Sequence, residues 1–521
     1  MKKTKYPKSR VVEFTISDFA NGIDAETDEN ITSFDKSVNS YNFEYKNGAL
    51  TESIGFEDLT IPRYKEEGSV ERAAIYYNEE SDGTFKKLAH FKEYSERFAE
   101  RKDKIFYISG DNQVYLGYII GPQIFSRLEE IVFQEVPKMK NYTDGERDCI
   151  LFFDDTDGMN SWNNNVDTIH YSNMPTIHDF TIYKDRVFAV PSGERLTVLT
   201  DNTNLLTWTS DDAIQNGNQI DNENESEDEE AQTSGRITIT LDSERGYVNK
   251  LLTFNGYLFL VRDFGISRIY WYGANNYNLS HLLCSGSRIY SNTACVCGDR
   301  GLVLCKDGIY EFDNVSAKKL DLKLNRMLEG VSNQNAVAAF RNGIYYLACR
   351  LNFGDNKTVG CENSAHINNA LILFDTQTNK YSICRGVDIV DLCSIQYLSA
   401  DKLLACFNGT YANKLGQLTN NGQMFGTNQT KFWRSPLSDL GYSDKIKYVK
   451  EVSLLSLYDI KLTVFSENET REFDIKGSNI ISRVPVRVKG KQIGISITSN
   501  TQKAYVSNLK LVANLVDNEY V

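Results

Sequence analysis

The stretch Asn249 to Tyr272, NKLLTFNGYLFLVRDFGISRIYWY, decides the fold. Asn255-Gly256 is a hairpin signal, because a tight type I′ turn needs positive φ at both central residues. Tyr257 to Val261 is a short, almost wholly apolar strand, the pattern expected where both faces are covered. Arg268 to Tyr272 is a second, aromatic strand. The unit recurs at Lys184 to Val190, Lys306 to Phe312 and Arg341 to Leu347, each a turn pair followed by apolar and aromatic residues. Repetition of a short antiparallel unit predicts an all-β chain whose middle is an irregular β-propeller.

The strand-rich middle runs from about 66 to 420. Blades are expected to begin near Arg72, Ile131, Phe180, Ile237, Ala294, Ala336 and Ile389. At roughly 40–50 residues per four-stranded blade, this length holds six to eight blades. The hairpins favour six or seven. No Gly-His and Trp-Asp pairs mark a WD40 array.

One insertion interrupts the period at 200–235. Its segment Asp221 to Glu230 holds seven carboxylates in ten residues. Like charges with Asn, Gly and Ser cannot build a core, so a solvated loop is expected. Docking onto a basic partner and cation binding are the alternatives. Before the propeller, residues 1–65 read as an extended arm with one hairpin at Asn47-Gly48. Beyond it, 421–521 reads as a β-sandwich, with strands at Ile446 to Leu457, Ile460 to Phe465, Val484 to Val488, Ile493 to Thr498 and Ala504 to Leu511.

Composition supports a large sheet-rich core: 41% hydrophobic, with Tyr 30 and Phe 27 against Pro 8. The net charge of −13 disfavours sequence-independent nucleic-acid binding by a whole face. No apolar run reaches the ~20 residues a membrane helix needs, so no membrane insertion is expected. The basic start MKKTKYPKSRVVEF lacks the apolar segment of a signal peptide, so folding in a cytoplasm is expected. The ten cysteines sit mostly in apolar strand contexts such as Val303-Leu304-Cys305, where a thiol behaves as a small hydrophobe.

Motifs for chemistry are sparse. There is no H-E-x-x-H, G-x-S-x-G, phosphate-binding loop or G-x-G-x-x-G after a strand. His281, Cys284, Cys295 and Cys297 form a conceivable zinc set. The Cys-x-Cys spacing instead suits two strand residues sharing a face. Asp154-Asp155-Thr156-Asp157-Gly158 resembles the start of a calcium loop, but Phe153 stands where an acid is needed. With Trp162 it is also a near miss for the Asp-box of sialidase propellers. A polar turn is the simpler reading.

Taken in order, these segments resemble a family of tailed-bacteriophage propeller proteins. NSYNFEYKNGALTESIGFEDL resembles the entry to the blades in that family. DDTDGMNSWN and KDRVFAVPSGERLTVLTDNTNLLTWTSD resemble its blade steps. FWRSPLSDLGYSDKIKYVKEVSLLSL and VPVRVKGKQIGISITS resemble its closing sandwich. The family comprises head–tail stabilisation and tail-nozzle proteins of short-tailed phages.

The resemblance implies a non-enzymatic subunit, a hexamer ring below the portal and adaptor. Its copies contact one another, the portal, the adaptor and other tail proteins. They retain the packaged DNA, touch it transiently during ejection, and reside in the virion tail after synthesis in the host cytoplasm. It implies no catalytic residue, cofactor or metal. The acidic insertion and the cysteine number depart from the family's pattern. Two alternatives are a receptor- or glycan-binding tail protein, with Tyr442, Tyr448 and Tyr458 as groove candidates, and a sialidase-like propeller enzyme.

Overall fold

The computed structural model describes residues 10–59, 84–91, 104–118, 126–143, 148–163, 166–171, 176–201, 204–208, 237–273, 276–354, 367–395 and 402–517. The chain is all-β, with many small antiparallel sheets. Six consecutive four-stranded sheets span 85–132, 138–171, 177–240, 248–284, 289–319 and 337–385. A seventh takes three strands from 389–419, and its fourth is Gly55–Asp58 from the start of the chain.

The fourth sheet shows why such sequences fold this way. Asn255 and Gly256 have φ of 50° and 74°, as the hairpin signal required. In the strand Tyr257–Arg262 alternate side chains point to opposite faces. Leu258 and Leu260 pack into a core with Phe188 and Val190 of the third sheet. Phe259 and Val261 pack into another, with Val303 and Cys305 of the fifth. Both faces are covered, so Leu258 to Val261 is apolar throughout. Each side chain buried this way stabilises by about 1.5–3 kcal/mol.

The same device repeats between every pair of successive sheets. The last of these cores joins Cys393, Leu404 and Cys406 of the seventh sheet to Phe85, Tyr107 and Tyr115 of the first. The sheet contacts therefore run in a cycle. The first strand of the seventh sheet packs beside the first strand of the first, as in the other neighbouring pairs from third to seventh.

Two expected starts shift. Ile131 lies in the outer strand of the first sheet, Ser126–Val132, and the second sheet starts at Lys138. Ile237 opens the last strand of the third sheet, Ile237–Thr240, and the fourth starts at Val248. Both are outer strands with apolar residues among polar ones, which local pattern does not distinguish from first strands. The insertion therefore precedes the last strand of the third sheet. Arg72 and Asp221 to Glu230 lie outside the described residues.

The C-terminal strands form two sheets, and the beginning of the chain joins both. Arg10–Ile16 pairs with Tyr505–Asp517, and the Phe43–Lys46 and Ala49–Glu52 hairpin extends the same sheet. Asn39–Tyr41 pairs with Lys431–Arg434 in the other. The strand Thr470–Ile475, TREFDI, was not foreseen, because its exposed charges mask its alternation. Between the sheets lies one apolar core centred on Trp433, whose ring meets Phe19 edge-on at 5.1 Å.

Asn42 joins this unit to the sixth sheet. Its φ of 60° turns the chain, a conformation asparagine tolerates. Its N–H donates to Ile383 O at 2.8 Å, its Oδ1 accepts from Arg385 N at 2.8 Å, and its Nδ2 donates to Thr430 O at 2.7 Å. The buried Arg385 guanidinium lies 4.2 Å from the Phe353 ring centre and 4.8 Å from that of Tyr41.

Candidate functional site

The polar residues that stand out line the middle of the sheet cycle. The third residue of the first strand is charged in five sheets: Lys87, Lys140, Asp179, Lys250 and Asp391. In four of these strands the register slips just before that residue, at Phe85/Lys87, Ile177/Asp179, Val248/Lys250 and Ile389/Asp391. A bulge re-aims the following side chain without disturbing the rest of the ladder.

The resulting belt links sheets to one another. Lys140 Nζ is 2.5 Å from Asp179 Oδ1 and donates to Phe180 O at 2.7 Å, joining second sheet to third. Asp179 Oδ2 accepts from Leu251 N at 2.8 Å, joining third to fourth. Lys250 Nζ donates to Ala294 O at 2.8 Å, joining fourth to fifth. Asp391 Oδ2 accepts from Leu88 N at 2.8 Å, so the same position joins the seventh sheet to the first. Burial pushes the Asp391 carboxyl above the usual range, with the Lys87 charge opposing. Burial pulls Lys250 down.

One mouth of the belt carries a second cluster. His178 Nδ1 donates to the Asp155 carboxylate at 2.9 Å, which leaves Nε2 as acceptor. Lys138 Nζ and Arg195 Nη1 both lie 3.3 Å from Nε2. Burial brings Lys138 down to about 8. Burial and then the Lys138 charge pull His178 down as well. Ser192 Oγ donates to Asp155 Oδ1 at 2.8 Å. In this arrangement the serine bonds the acid and not the imidazole, so His178 is not placed to take its proton.

The residues singled out from sequence fall elsewhere or take structural roles. Asp154 Oδ1 accepts from Thr156 N at 2.9 Å, and Asp157 Oδ2 accepts from Gln134 N at 2.7 Å. The DDTDG segment is thus a polar turn whose carboxylates cap main-chain amides. Trp162 packs edge-on against Phe91 and Phe106, between the first and second sheets.

The conceivable zinc ligands point to separate partners. His281 is exposed, with Nδ1 2.9 Å from Ser267 Oγ. Cys295 Sγ donates to Ala338 O at 3.3 Å, and Cys297 Sγ to Cys295 O at 3.7 Å. The side chain of Cys284 is outside the described residues. Among the described residues no group of three or more His, Cys, Asp or Glu side chains is placed to hold a metal. No helix there is long and apolar enough to cross a membrane. Of the groove tyrosines, Tyr442 packs against the sandwich core beside Phe14, while Tyr448 and Tyr458 are half-buried.

Sequence reading missed the belt. Its signal is a charge followed by an apolar residue early in each first strand: Lys87-Leu88, Asp179-Phe180, Lys250-Leu251 and Asp391-Leu392. A separate cleft of about 660 Å³ opens between the fifth and sixth sheets. There Glu311 bridges Arg300 and Lys318 beside Phe312 and Phe340.

No family model and no curated protein matches the chain. Among solved structures, it is similar to an extracellular domain from B. thetaiotaomicron, described as belonging to a hybrid two component system. That likeness has 10% identity and a TM-score of 0.43, and covers 89% of this chain and 64% of that one, under two thirds of its length. The chain is also similar to Raptor from Chaetomium thermophilum, at 8% identity and a TM-score of 0.39, over 70% of this chain and 29% of that one.

Proposed function

We propose that the seven sheets are the blades of a β-propeller fused to a β-sandwich, and that the chain is a non-enzymatic structural subunit of a phage tail. In this reading it is a nozzle or head–tail stabilisation protein. Its copies form a ring below the portal and adaptor, retain the packaged DNA and shape the channel for ejection. The tail assignment comes from the resemblance of the entry, blade and sandwich segments.

The observation that supports it best is the course of residues 10–58. This one segment adds strands to both sheets of the sandwich and supplies the fourth strand of the seventh sheet. A load along the tail would therefore have to break ladder hydrogen bonds in both units at once, which suits a rigid ring subunit. Closing a sheet cycle also leaves only short, protected edges. The net charge of −13 is compatible with a wall along which DNA passes without being held.

Electron microscopy of particles carrying this protein tests the reading, with the mass of the purified protein measured alongside. A ring of copies beneath the portal is the expected result. A protein absent from particles, or a monomer that binds or cleaves glycans, would overturn it.

A further inference from the structure

His178 sits where three sheets meet. It is 8% exposed and occupies the register slip between Ile177 and Asp179. The second sheet presents Lys138 and Asp155 to it, the third Arg195, and the fourth Asn249 through that arginine. Its Nδ1 is committed to Asp155, which also accepts from Ser192. Lys138 Nζ stands 3.3 Å from each ring nitrogen and donates to His178 O. Arg195 Nη1 lies 3.3 Å from Nε2 and donates to Asn249 Oδ1 at 3.2 Å. The Arg195 guanidinium also lies 5.1 Å from the Tyr247 ring centre. The neighbouring Asp179 is paired with Lys140.

Two cationic donors therefore converge on one lone pair. Neutral imidazole offers that lone pair, whereas imidazolium carries a donor on both nitrogens. Neither an ammonium nor a guanidinium can accept. Protonation of Nε2 thus sets donor against donor, and like charges at that distance repel. The same contacts tie the turn Ser192 to Leu196 to the fourth sheet, where Val248 N donates to Arg195 O at 2.9 Å. The apolar cores beside the turn contain none of these polar side chains, so the turn can open while the sheets stay packed.

We propose that His178 is a proton-operated latch on this mouth of the sheet cycle. Neutral, it holds Lys138 and Arg195 on one nitrogen; protonated, it releases Arg195 and the turn 192–196 from the fourth sheet. Burial and then the Lys138 charge hold the His178 pKa below 6.5 in the closed form. Released into water, the ring takes its proton near 6.5. Closure is therefore complete above about 6.5 and weakens as the pH falls towards the lower value, by at most about tenfold per pH unit for one proton. Lys138, brought down by burial, stays charged below about 8. Burial raises Asp155, but the Ser192 and His178 hydrogen bonds keep it below 3.8. Between those limits His178 is the member of the cluster that changes charge. The inference stands apart from the tail assignment.

Native-state hydrogen exchange on the full-length protein tests it, read by mass spectrometry on fragments covering 192–196 and Val248 and corrected for the intrinsic effect of pH on exchange. From about pH 7.5 to about 5.5 the opening of both should rise several-fold, up to about tenfold, while the buried strand Tyr257–Arg262 stays unchanged. His178→Gln, which keeps a side-chain acceptor and takes up no proton in this range, should abolish the rise. If that variant does not fold, histidine NMR of the wild type decides, with His178 titrating below 6.5 as the expected result. A flat wild-type profile would overturn the inference. So would an equal rise in His178→Gln, or a His178 midpoint at or above 6.5.

Discussion

Lys140 of the sheet cycle and two buried lysines of the sandwich are held by different means. In the sheet cycle, Lys140 meets the buried carboxylate of Asp179 on the neighbouring sheet. In the sandwich, Lys431 and Lys447 are fully buried with no ion pair among the described residues. Main-chain carbonyls accept their hydrogen bonds instead: Gln429 O and Thr501 O for Lys431, and Tyr442 O, Lys445 O and Lys491 O for Lys447. The ion pair welds separate sheets. The carbonyl caps finish loops within one unit, so losing a partner should cost differently in the two places.

The largest effect is expected at the weld. Lys140→Met leaves the Asp179 charge buried without its partner and should cost about 3–5 kcal/mol, read from the urea midpoint. Lys447→Met removes a buried charge together with the cap on three carbonyls. It should cost less, about 1–3 kcal/mol. If the two variants lose the same amount, the contrast between weld and cap fails.

Asp391 sharpens the point. Asp391→Ala orphans the Leu88 amide at the junction of the seventh and first sheets and should cost about 1–3 kcal/mol. Asp391→Asn keeps an acceptor there. Because burial already favours the neutral acid, its cost should stay below ~1 kcal/mol. Equal losses in thermal melts of the two would mean that the hydrogen bond does not hold the junction.

The last contrast is in pH dependence. Lys138 and Lys431 both fall from 10.5 to about 8 because burial disfavours the charged form. The unfolded chain binds the proton more tightly, so each contribution is fully present above 10.5 and lost as pH falls through about 8. Stability should rise with pH across that window. Lys431→Met should flatten part of the rise, as measured by urea midpoints through the window. A slope unchanged in Lys431→Met would contradict the assignment.

Much of this was legible in local pattern. Asn255-Gly256 and Asn342-Gly343 marked their hairpins, and both pairs have positive φ. The apolar run Tyr257 to Val261 announced a strand covered on both faces. The five strands foreseen in 446–511 are present with small shifts at their ends.

What pattern could not supply was partnership. Val12 to Ile16 reads as a strand, but its neighbour lies at the other end of the chain. The belt was hidden for a related reason. A lysine or aspartate within a strand ordinarily faces solvent, and the bulge that turns Lys250 or Asp391 inward has no residue signature. Ile237 shows the reverse error, since an outer strand that follows a polar insertion looks like a beginning.

The central claim is that residues 55–58 close the cycle of sheets and are not part of a loose arm. Native-state hydrogen exchange, read by mass spectrometry on fragments covering 55–58 and 402–407, tests it most directly. The Phe56 amide region should be protected to a similar degree as the strand Lys402–Phe407 in the same sheet, and Asp391→Ala should lower both together. Exchange of 55–58 on the timescale of an unstructured segment, with 402–407 still protected, would contradict it.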